Sequence, residues 1–318
     1  MNNADGSVAV VGAGLMGVGI ATCLALAGQH VKLFDSSPAR RQDAPRLVQD
    51  ILEEIRQSGR AIETEEVLAH INVCNSLSAL TDVQTVYEAV VERLEVKQAV
   101  YAELEAVISR DAVIASNTSG LVPDTLCAQM QYADRFLVAH FWNPPYVIPL
   151  VELVPAQKTD AAIPVRIRQQ LEQAGFEPII LRTAIPGFIG NRIQFAVFRE
   201  ALHLVQSGVG DAATIDAVIK SCLGRRYARF GPLEVADLGG LDTFLDIASH
   251  LLPQLDKSEG ALELLRSQIA QGHTGIDSGQ GFYKWDEKRR QGAKQRRLDM
   301  LADNAVSHDA ALRTGEIA

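Results

Sequence analysis

The chain has 318 residues, of which 47% are hydrophobic, and its 39 acidic and 30 basic residues give a formal net charge of −9. This length can bury a large core, so we expect two domains. The negative charge disfavours nucleic-acid binding, and no apolar run reaches the roughly 18 residues that cross a bilayer, so we expect a soluble, cytoplasmic protein without membrane or nucleic-acid partners.

Short β-branched runs alternate with helical patterns in the N-terminal half. The segment 7–12 predicts a strand, 15–28 predicts a helix that Gly28 closes, and 30–35 predicts a second strand that ends at Asp35. Such alternation is typical of an α/β fold with a doubly wound, mainly parallel sheet. Further strands are predicted at 85–92, 111–117, 135–141, 147–154 and 177–182, and helices near 95–108 and 163–175.

Two segments depart from this alternation. Polar helical patterns fill 37–70, where a short connection would suffice, and predict a helical excursion from the sheet. After Pro186 and Gly187 almost all patterns are helical. We therefore predict an α/β domain at 1–185 and an all-α domain at 186–318.

The first motif, GAGLMG, places Gly12, Gly14 and Gly17 directly after a strand and at the start of a helix. The glycines permit a tight turn, approach of a pyrophosphate to the backbone, and close packing of the helix on the strand. Asp35 ends the second strand, where an acid can bind both ribose hydroxyls and repels a 2′-phosphate. The motif therefore predicts NAD as cofactor, although Arg40 and Arg41 could receive the additional phosphate of NADP.

The apolar stretch AHFWNPPYVIPLVELVP (139–155) contains only two titratable charge carriers, His140 and Glu152. NPPY reads as a turn between two strands, and both residues are equidistant from Tyr146. In an antiparallel pair they would face each other, with Cβ atoms roughly 5 Å apart. A carboxylate fixes the tautomer of a neighbouring imidazole and favours its protonated form, as a general base requires. A purely structural histidine is the alternative.

Several segments together resemble the L-3-hydroxyacyl-CoA dehydrogenase family, and the resemblance covers nearly the whole chain in the order that the family has. The resemblance implies a Rossmann domain that binds NAD, and a helical domain that binds substrate and forms a homodimer. The segments are VGAGLMG, VVERLEVK, ASNTSGL, AHFWNPP with PLVELVP, PGFIGNR, GPLEVADLGGLDT and SGQGFYKW.

By position, the resemblance implies site residues. His140 matches the catalytic base and Glu152 its carboxylate partner, while Ser119 and Asn191 match residues that hold the substrate. Ser119 could instead cap a helix starting near Leu121, and Asn191 could belong to a turn. Glu92 and Lys97 match residues near the nicotinamide, or are surface charges. The remaining implied contacts are Gly12, Gly14, Leu15, Met16, Gly17, Asp35 and Asn117 for the cofactor, and Asn143 for the substrate.

The substrate is the open question, because the excursion at 36–80 contains no lysine, and five arginines against seven acids are a poor surface for the phosphates of CoA. The segment GRRY is similar to one in family members that act on small free acids, where an arginine could bind a carboxylate. Arg226 is our candidate, ahead of Arg225 and Arg229. Three hypotheses remain: a dehydrogenase of a small 3-hydroxy acid, a 3-hydroxyacyl-CoA dehydrogenase, and a non-catalytic, crystallin-like NAD-binding protein.

Two features have no predicted role in chemistry. The segment 284–297 has seven basic residues against two acids and reads as a solvated helix face, with anion binding as the alternative. The four cysteines lie far apart, without the spacing of a metal site, and we expect buried thiols.

Overall fold

The computed structural model describes residues 7–314, with side chains at every position of that range except 261 and 304–314. Eight strands form one sheet in the order β3-β2-β1-β4-β5-β6-β7-β8. Neighbouring strands are parallel except β6 and β7, which are antiparallel. The strands are β1 (Val8–Val11), β2 (Val31–Phe34), β3 (Ile71–Val73), β4 (Thr85–Glu88), β5 (Val113–Ser116), β6 (Phe136–Phe141), β7 (Leu150–Pro155) and β8 (Glu177–Ile180).

The seven predicted strands are present, and the doubly wound α/β sheet is confirmed. Strand β3 was not predicted, because three residues are too short to show a two-residue period. Strand β4 ends at Glu88 rather than at 92, because the chain turns at Ala89, whose carbonyl lies against Gly12.

Helices cover both faces of the sheet. Because successive residues of a central strand point to opposite faces, each face has its own buried cluster. Val8 and Val10 of β1 belong to one buried cluster, and Ala9 and Val11 to the other. The helices of this part are α1 (Leu15–Leu26), α2 (Pro38–Gln57), α3 (Thr64–Ala69), α4 (Leu94–Glu105), α5 (Pro123–Leu126) and α6 (Ala162–Gln173).

The chain divides into two compact units. Unit 1 comprises the residues up to Phe188 together with those from Lys294 onward, and unit 2 comprises Ile189–Ala293. Unit 2 is helical, with a π-helical turn (Lys220–Gly224) before α9. Its helices are α7 (Gly190–Gln206), α8 (Ala212–Ile219), α9 (Arg225–Tyr227), α10 (Pro232–Gly239), α11 (Leu241–Leu251) and α12 (Ala261–Ala270), and α13 (Glu287–Thr314) follows.

This grouping differs from a division into 1–185 and 186–318, because described residues of α13 beyond Lys294 pack on unit 1. Leu298 and Leu301 are buried in the same cluster as β1. Arg297 donates from Nε to Glu54 of α2, which also accepts a hydrogen bond from the hydroxyl of Tyr146. A return of the chain to an earlier helix has no signature in local sequence.

Three basic residues within α13 make packing contacts or hydrogen bonds. The guanidinium of Arg289 lies 3.7 Å from the ring centroid of Tyr283, and Arg290 donates to the carbonyls of Trp285 and Ile276. With Arg297 paired to Glu54, three of the seven basic side chains at 284–297 are engaged in contacts within the protein, and the prediction of a wholly solvated helix face holds only for the others.

The cysteines agree with expectation at three of four positions. Burial raises the pKa of Cys23 to about 12 and also raises the pKa values of Cys74 and Cys127. Cys222, in the π-helical turn, is exposed, so the prediction of a buried thiol is wrong at this position. Within residues 7–314, every helix is too short or too polar to cross a membrane.

Candidate active site

The glycine motif forms a turn whose shape depends on missing side chains. Gly12 has a φ of +107°, and a Cβ added there would lie 2.5 Å from the carbonyl oxygen of Ala89. A Cβ on Gly17 would lie 1.7 Å from the carbonyl oxygen of Gly12. A Cβ on Gly14 would have no neighbour nearer than Arg40 Nη1 at 4.0 Å, so this position faces open space.

That open space lies at the N-terminus of α1, where backbone amides are free of a side-chain cap. A helix N-terminus of this kind binds phosphate through its amides and its dipole. The turn therefore fits a dinucleotide pyrophosphate, with Gly14 giving it access and Gly12 and Gly17 holding the helix close to β1.

Asp35 lies one residue beyond β2 and is held by the neighbouring backbone. Its carboxylate accepts hydrogen bonds of 2.8 Å from the amides of Ala13 and Ser37, which leaves lone pairs for ribose hydroxyls. Arg40 Nη1 lies 3.6 Å from the same carboxylate, and Arg41 donates to the carbonyl of Asp35. The ionised Asp35 repels a 2′-phosphate, and Arg41 is engaged by the backbone, so the arrangement favours NAD.

The register of β6 and β7 places His140 directly opposite Glu152, so the pairing predicted from the turn is confirmed. His140 Nδ1 lies 2.9 Å from Glu152 Oε2. The two residues are only 5% and 2% exposed, which keeps competing water from the contact. Because an ionised carboxylate can only accept, Nδ1 must carry the hydrogen, and Nε2 remains the basic nitrogen.

Aromatic rings surround the imidazole. The ring centroids of Trp142 and Phe188 each lie 5.5 Å from that of His140. Phe188 is fully buried and has a φ of +50°, an uncommon conformation for a bulky residue. Sequence reasoning missed Phe188, although its position directly after Pro186 and Gly187 was a signal of unusual backbone.

The loop that follows β5 contains two predicted site residues, Asn117 and Ser119, and Thr118 between them. Asn117 accepts a hydrogen bond from the amide of Phe141, next to His140. Ser119 is exposed, and its amide donates to Glu92 at 2.9 Å. Thr118 also donates to Glu92 and accepts from the amide of Leu121. Thr118 therefore makes this local turn contact, and α5 begins after Val122 without a side-chain cap, so the cap predicted near Leu121 is absent from this helix.

A buried ionic network lies beside this loop. Lys97 is buried rather than a surface charge, with Nζ 2.7 Å from Glu88 Oε1 and 3.3 Å from Glu92 Oε2. Glu88 also accepts hydrogen bonds from the hydroxyls of Tyr101 and Ser116. Burial, with the charge of Glu88 beside it, raises the pKa of Tyr101, so this hydroxyl stays protonated and donates. Sequence reasoning missed Glu88, although an acid at the end of an apolar strand was a usable signal.

The other predicted residues lie apart from these contacts or in unit 2. Leu15 is exposed and Met16 half-buried at the start of α1, and Asn143 is exposed just after β6. Asn191 is the second residue of α7 rather than part of a turn, and Arg226 is exposed on α9. Among the described residues, no group of three or more His, Cys, Asp or Glu side chains could hold a metal ion.

Both units match models of known protein families. Residues 7–184 match the model of the 3-hydroxyacyl-CoA dehydrogenase NAD-binding domain, and residues 187–285 match the C-terminal domain of the same enzymes. These two matches cover most of the chain and end where α13 begins.

The individual relatives differ in the function that their names state. A lambda-crystallin homolog of Bos taurus is 39% identical, with 74% of this chain and 75% of that protein aligned. An L-carnitine dehydrogenase/betainyl-CoA thioesterase of Rhizobium sp is 34% identical, over 73% of this chain and 46% of that protein. The solved structure of 5-formyl-3-hydroxy-2-methylpyridine 4-carboxylic acid 5-dehydrogenase, an NAD+-dependent dismutase, superimposes with a TM-score of 0.86 at 27% identity, covering 95% of this chain and 98% of that chain.

Proposed function

The chain belongs to the 3-hydroxyacyl-CoA dehydrogenase family, whose cofactor is NAD, and from this premise we propose that it oxidises the 3-hydroxyl of a small, carboxylate-bearing 3-hydroxy acid to the ketone, reversibly. The buried pair of His140 and Glu152 carries the proposal. A histidine held by a carboxylate at the edge where parallel strands end is suited to moving a hydroxyl proton.

Proton transfer follows from the tautomer of His140. Since Nδ1–H donates to Glu152, Nε2 accepts the substrate hydroxyl proton, and the carboxylate then stabilises the imidazolium. Bound NAD supplies the hydride acceptor. The amide contact between Ser119 and Glu92 fixes the loop from which the Ser119 hydroxyl would hold the substrate oxygen. We assign Asn191 and Asn143 to substrate positioning on the resemblance alone.

The pairing of most cations on α2 with carboxylates favours a free acid over a CoA thioester. Of the five arginines at 36–80, three are paired with carboxylates: Arg46 with Asp43 and Asp50, Arg56 with Glu53, and Arg40 with Asp35. Arg41 donates to the carbonyl of Asp35. A triphosphorylated nucleotide tail would need cations that are not already neutralised. None of the described ion pairs engages Arg226 or its neighbours Arg225 and Arg229, so the guanidinium of Arg226 can bind a substrate carboxylate.

The names of two relatives point to the same substrate class, since L-carnitine and a pyridine 4-carboxylate both carry a carboxylate. Similarity to lambda-crystallin proteins leaves the non-catalytic hypothesis as the second candidate. The retained contact between His140 and Glu152 favours the enzyme, because a structural protein gains little from burying that pair.

We expect NAD reduction with at least one free acid among carnitine, gulonate and 3-hydroxybutyrate, and little with 3-hydroxybutyryl-CoA. In Arg226→Ala the KM for the free acid should rise about tenfold or more, because a charged hydrogen bond to the carboxylate is lost. The measurement is NADH absorbance against substrate concentration. Arg225→Ala is the matched control and should leave KM within about twofold. Turnover of the thioester alone would contradict the proposal.

We also propose a homodimer formed through unit 2. Among the described side chains of Ile189–Ala293, only Leu202 is a buried hydrophobic residue. Leu233, Leu238 and Leu245 are 82%, 70% and 68% exposed. So much exposed apolar surface marks an interface, and a second copy covers it with the same helices in a symmetric contact.

Sedimentation should therefore give twice the 34.5 kDa mass of the chain. Leu245→Glu should shift the protein toward the monomer at micromolar concentration, because it places a charge in the apolar contact. Val165→Glu, on α6 of unit 1 and also exposed, is the matched control and should remain dimeric. A wild-type monomer would refute the assignment.

A further inference from the structure

The side chain of Glu88 is fully buried at the edge of the sheet where the parallel strands end. It contacts three segments there: the turn after β4, helix α4 and the end of β5. It accepts four hydrogen bonds, from the amide of Val90 and from the side chains of Lys97, Tyr101 and Ser116. The bond to Val90 shapes the turn that lies against Gly12, since a Cβ on Gly12 would meet Val90 N at 3.0 Å. Through Lys97, the same carboxylate is linked to Glu92.

Glu92 in turn holds the loop that carries Ser119. Its Oε1 accepts from Thr118 and from the amide of Ser119, and its Oε2 lies 3.3 Å from Lys97 Nζ. The ionic chain therefore runs from the dinucleotide turn after β1 to the loop after β5.

The network has an excess of one negative charge. Two carboxylates, Glu88 and Glu92, share the single ammonium of Lys97, which is 1% exposed. The hydroxyls of Tyr101 and Ser116 are neutral donors. Arg93 and Glu95, the neighbouring charges at the start of α4, are both exposed and opposite in sign. Glu88 and Lys97 are buried, whereas Glu92 is 44% exposed, so the remaining charge lies at the border of the buried network and is partly screened by water.

The sheet order indicates which half of the cofactor meets this charge. Asp35, after β2, suits the adenosine ribose, and the glycine turn after β1 suits the pyrophosphate. The other half then extends to the opposite side of β1, toward β4 and β5, where Glu88 and Glu92 lie. The nicotinamide ring is positively charged when oxidised and neutral when reduced.

We propose that Glu88 is a positioning residue that holds Lys97 between two carboxylates, and that the remaining negative charge of this network raises the affinity for NAD+ relative to NADH. This inference rests on the cofactor alone and not on the proposed substrate.

Equilibrium binding of NAD+ and of NADH to the purified full chain tests it. Glu88→Gln and Glu92→Gln each bring the network to neutrality, and each should lower the ratio of Kd(NADH) to Kd(NAD+) about fivefold to tenfold. Loosening of the site alone would weaken both cofactors together and leave the ratio unchanged. Glu95→Gln removes an exposed charge from the same helix and should move the ratio by less than about twofold.

The inference is overturned if both network variants keep the wild-type ratio, or if Glu95→Gln shifts it equally. Should Glu88→Gln fail to fold, Glu92→Gln decides the question, because the side chain of Glu92 is 44% exposed. None of these measurements requires turnover, so a wrong substrate assignment would leave the result intact.

Discussion

Replacing His140 with alanine is expected to lower kcat for oxidation of the hydroxy acid by about a thousandfold, with little effect on NAD binding. General-base catalysis by a positioned side chain typically contributes about 10²- to 10⁴-fold. The imidazole is 5% exposed, so bulk base has poor access to replace it. Steady-state rates with the best acid of the panel measure the effect, and NAD titration checks the cofactor site.

Glu152→Gln refines this test, because glutamine keeps the shape of the side chain but removes its charge. It should lower kcat by about tenfold to a hundredfold, since the amide stabilises the imidazolium less well and can select the wrong tautomer. An His140→Ala enzyme that retained kcat within about tenfold of wild type would show that another group moves the proton.

The second large effect is expected from the glycine turn. Gly17→Ala should lower the free energy of unfolding of unit 1 by about 3 kcal/mol or more, because the new Cβ would lie 1.7 Å from the carbonyl oxygen of Gly12. Both atoms belong to backbone-anchored positions, so neither can rotate away. NAD binding should be lost with the turn. Chemical denaturation followed by circular dichroism, and NAD titration, measure the two effects.

Gly14→Ala is the matched control because it separates binding from stability. Gly14 has a φ of −79° and a ψ of −172°, which alanine adopts readily, and its Cβ would meet no atom within 4.0 Å other than Arg40 Nη1. Stability should fall by no more than about 1 kcal/mol, because alanine is a poorer N-cap than glycine but meets no clash. NAD affinity should still fall at least about tenfold, since the methyl group takes the space of the pyrophosphate. Unchanged affinity would place the phosphates elsewhere.

Several parts of the site could be predicted because they depend on short-range rules. The turn between β6 and β7 and the two-residue period of strands were enough to pair His140 with Glu152. The glycine motif predicted a dinucleotide turn because glycines at three set positions have few other uses after a strand. The catalytic roles of His140, Glu152, Ser119 and Asn191 stay predictions until turnover is measured.

Other features could not be predicted because they join residues that are distant in sequence. Glu88 meets Ser116 only because β4 and β5 are adjacent and end at the same level. Phe188 reaches His140 from the end of unit 1, and α13 returns to cover Glu54. In the sequence, Glu88 and Tyr101 are a polar and an aromatic residue with no visible connection.

The sequence by itself determined the class of fold, the cofactor class and the two halves of the imidazole pair. In each case the physical cause is local: backbone conformations open only to glycine, hydrophobic periods of strands and helices, and a turn that fixes register. Tertiary structure alone decided which polar groups join the buried network around Glu88 and how their charges balance. Burial and charge pairing depend on which elements become neighbours, and that is settled only when the whole sheet forms.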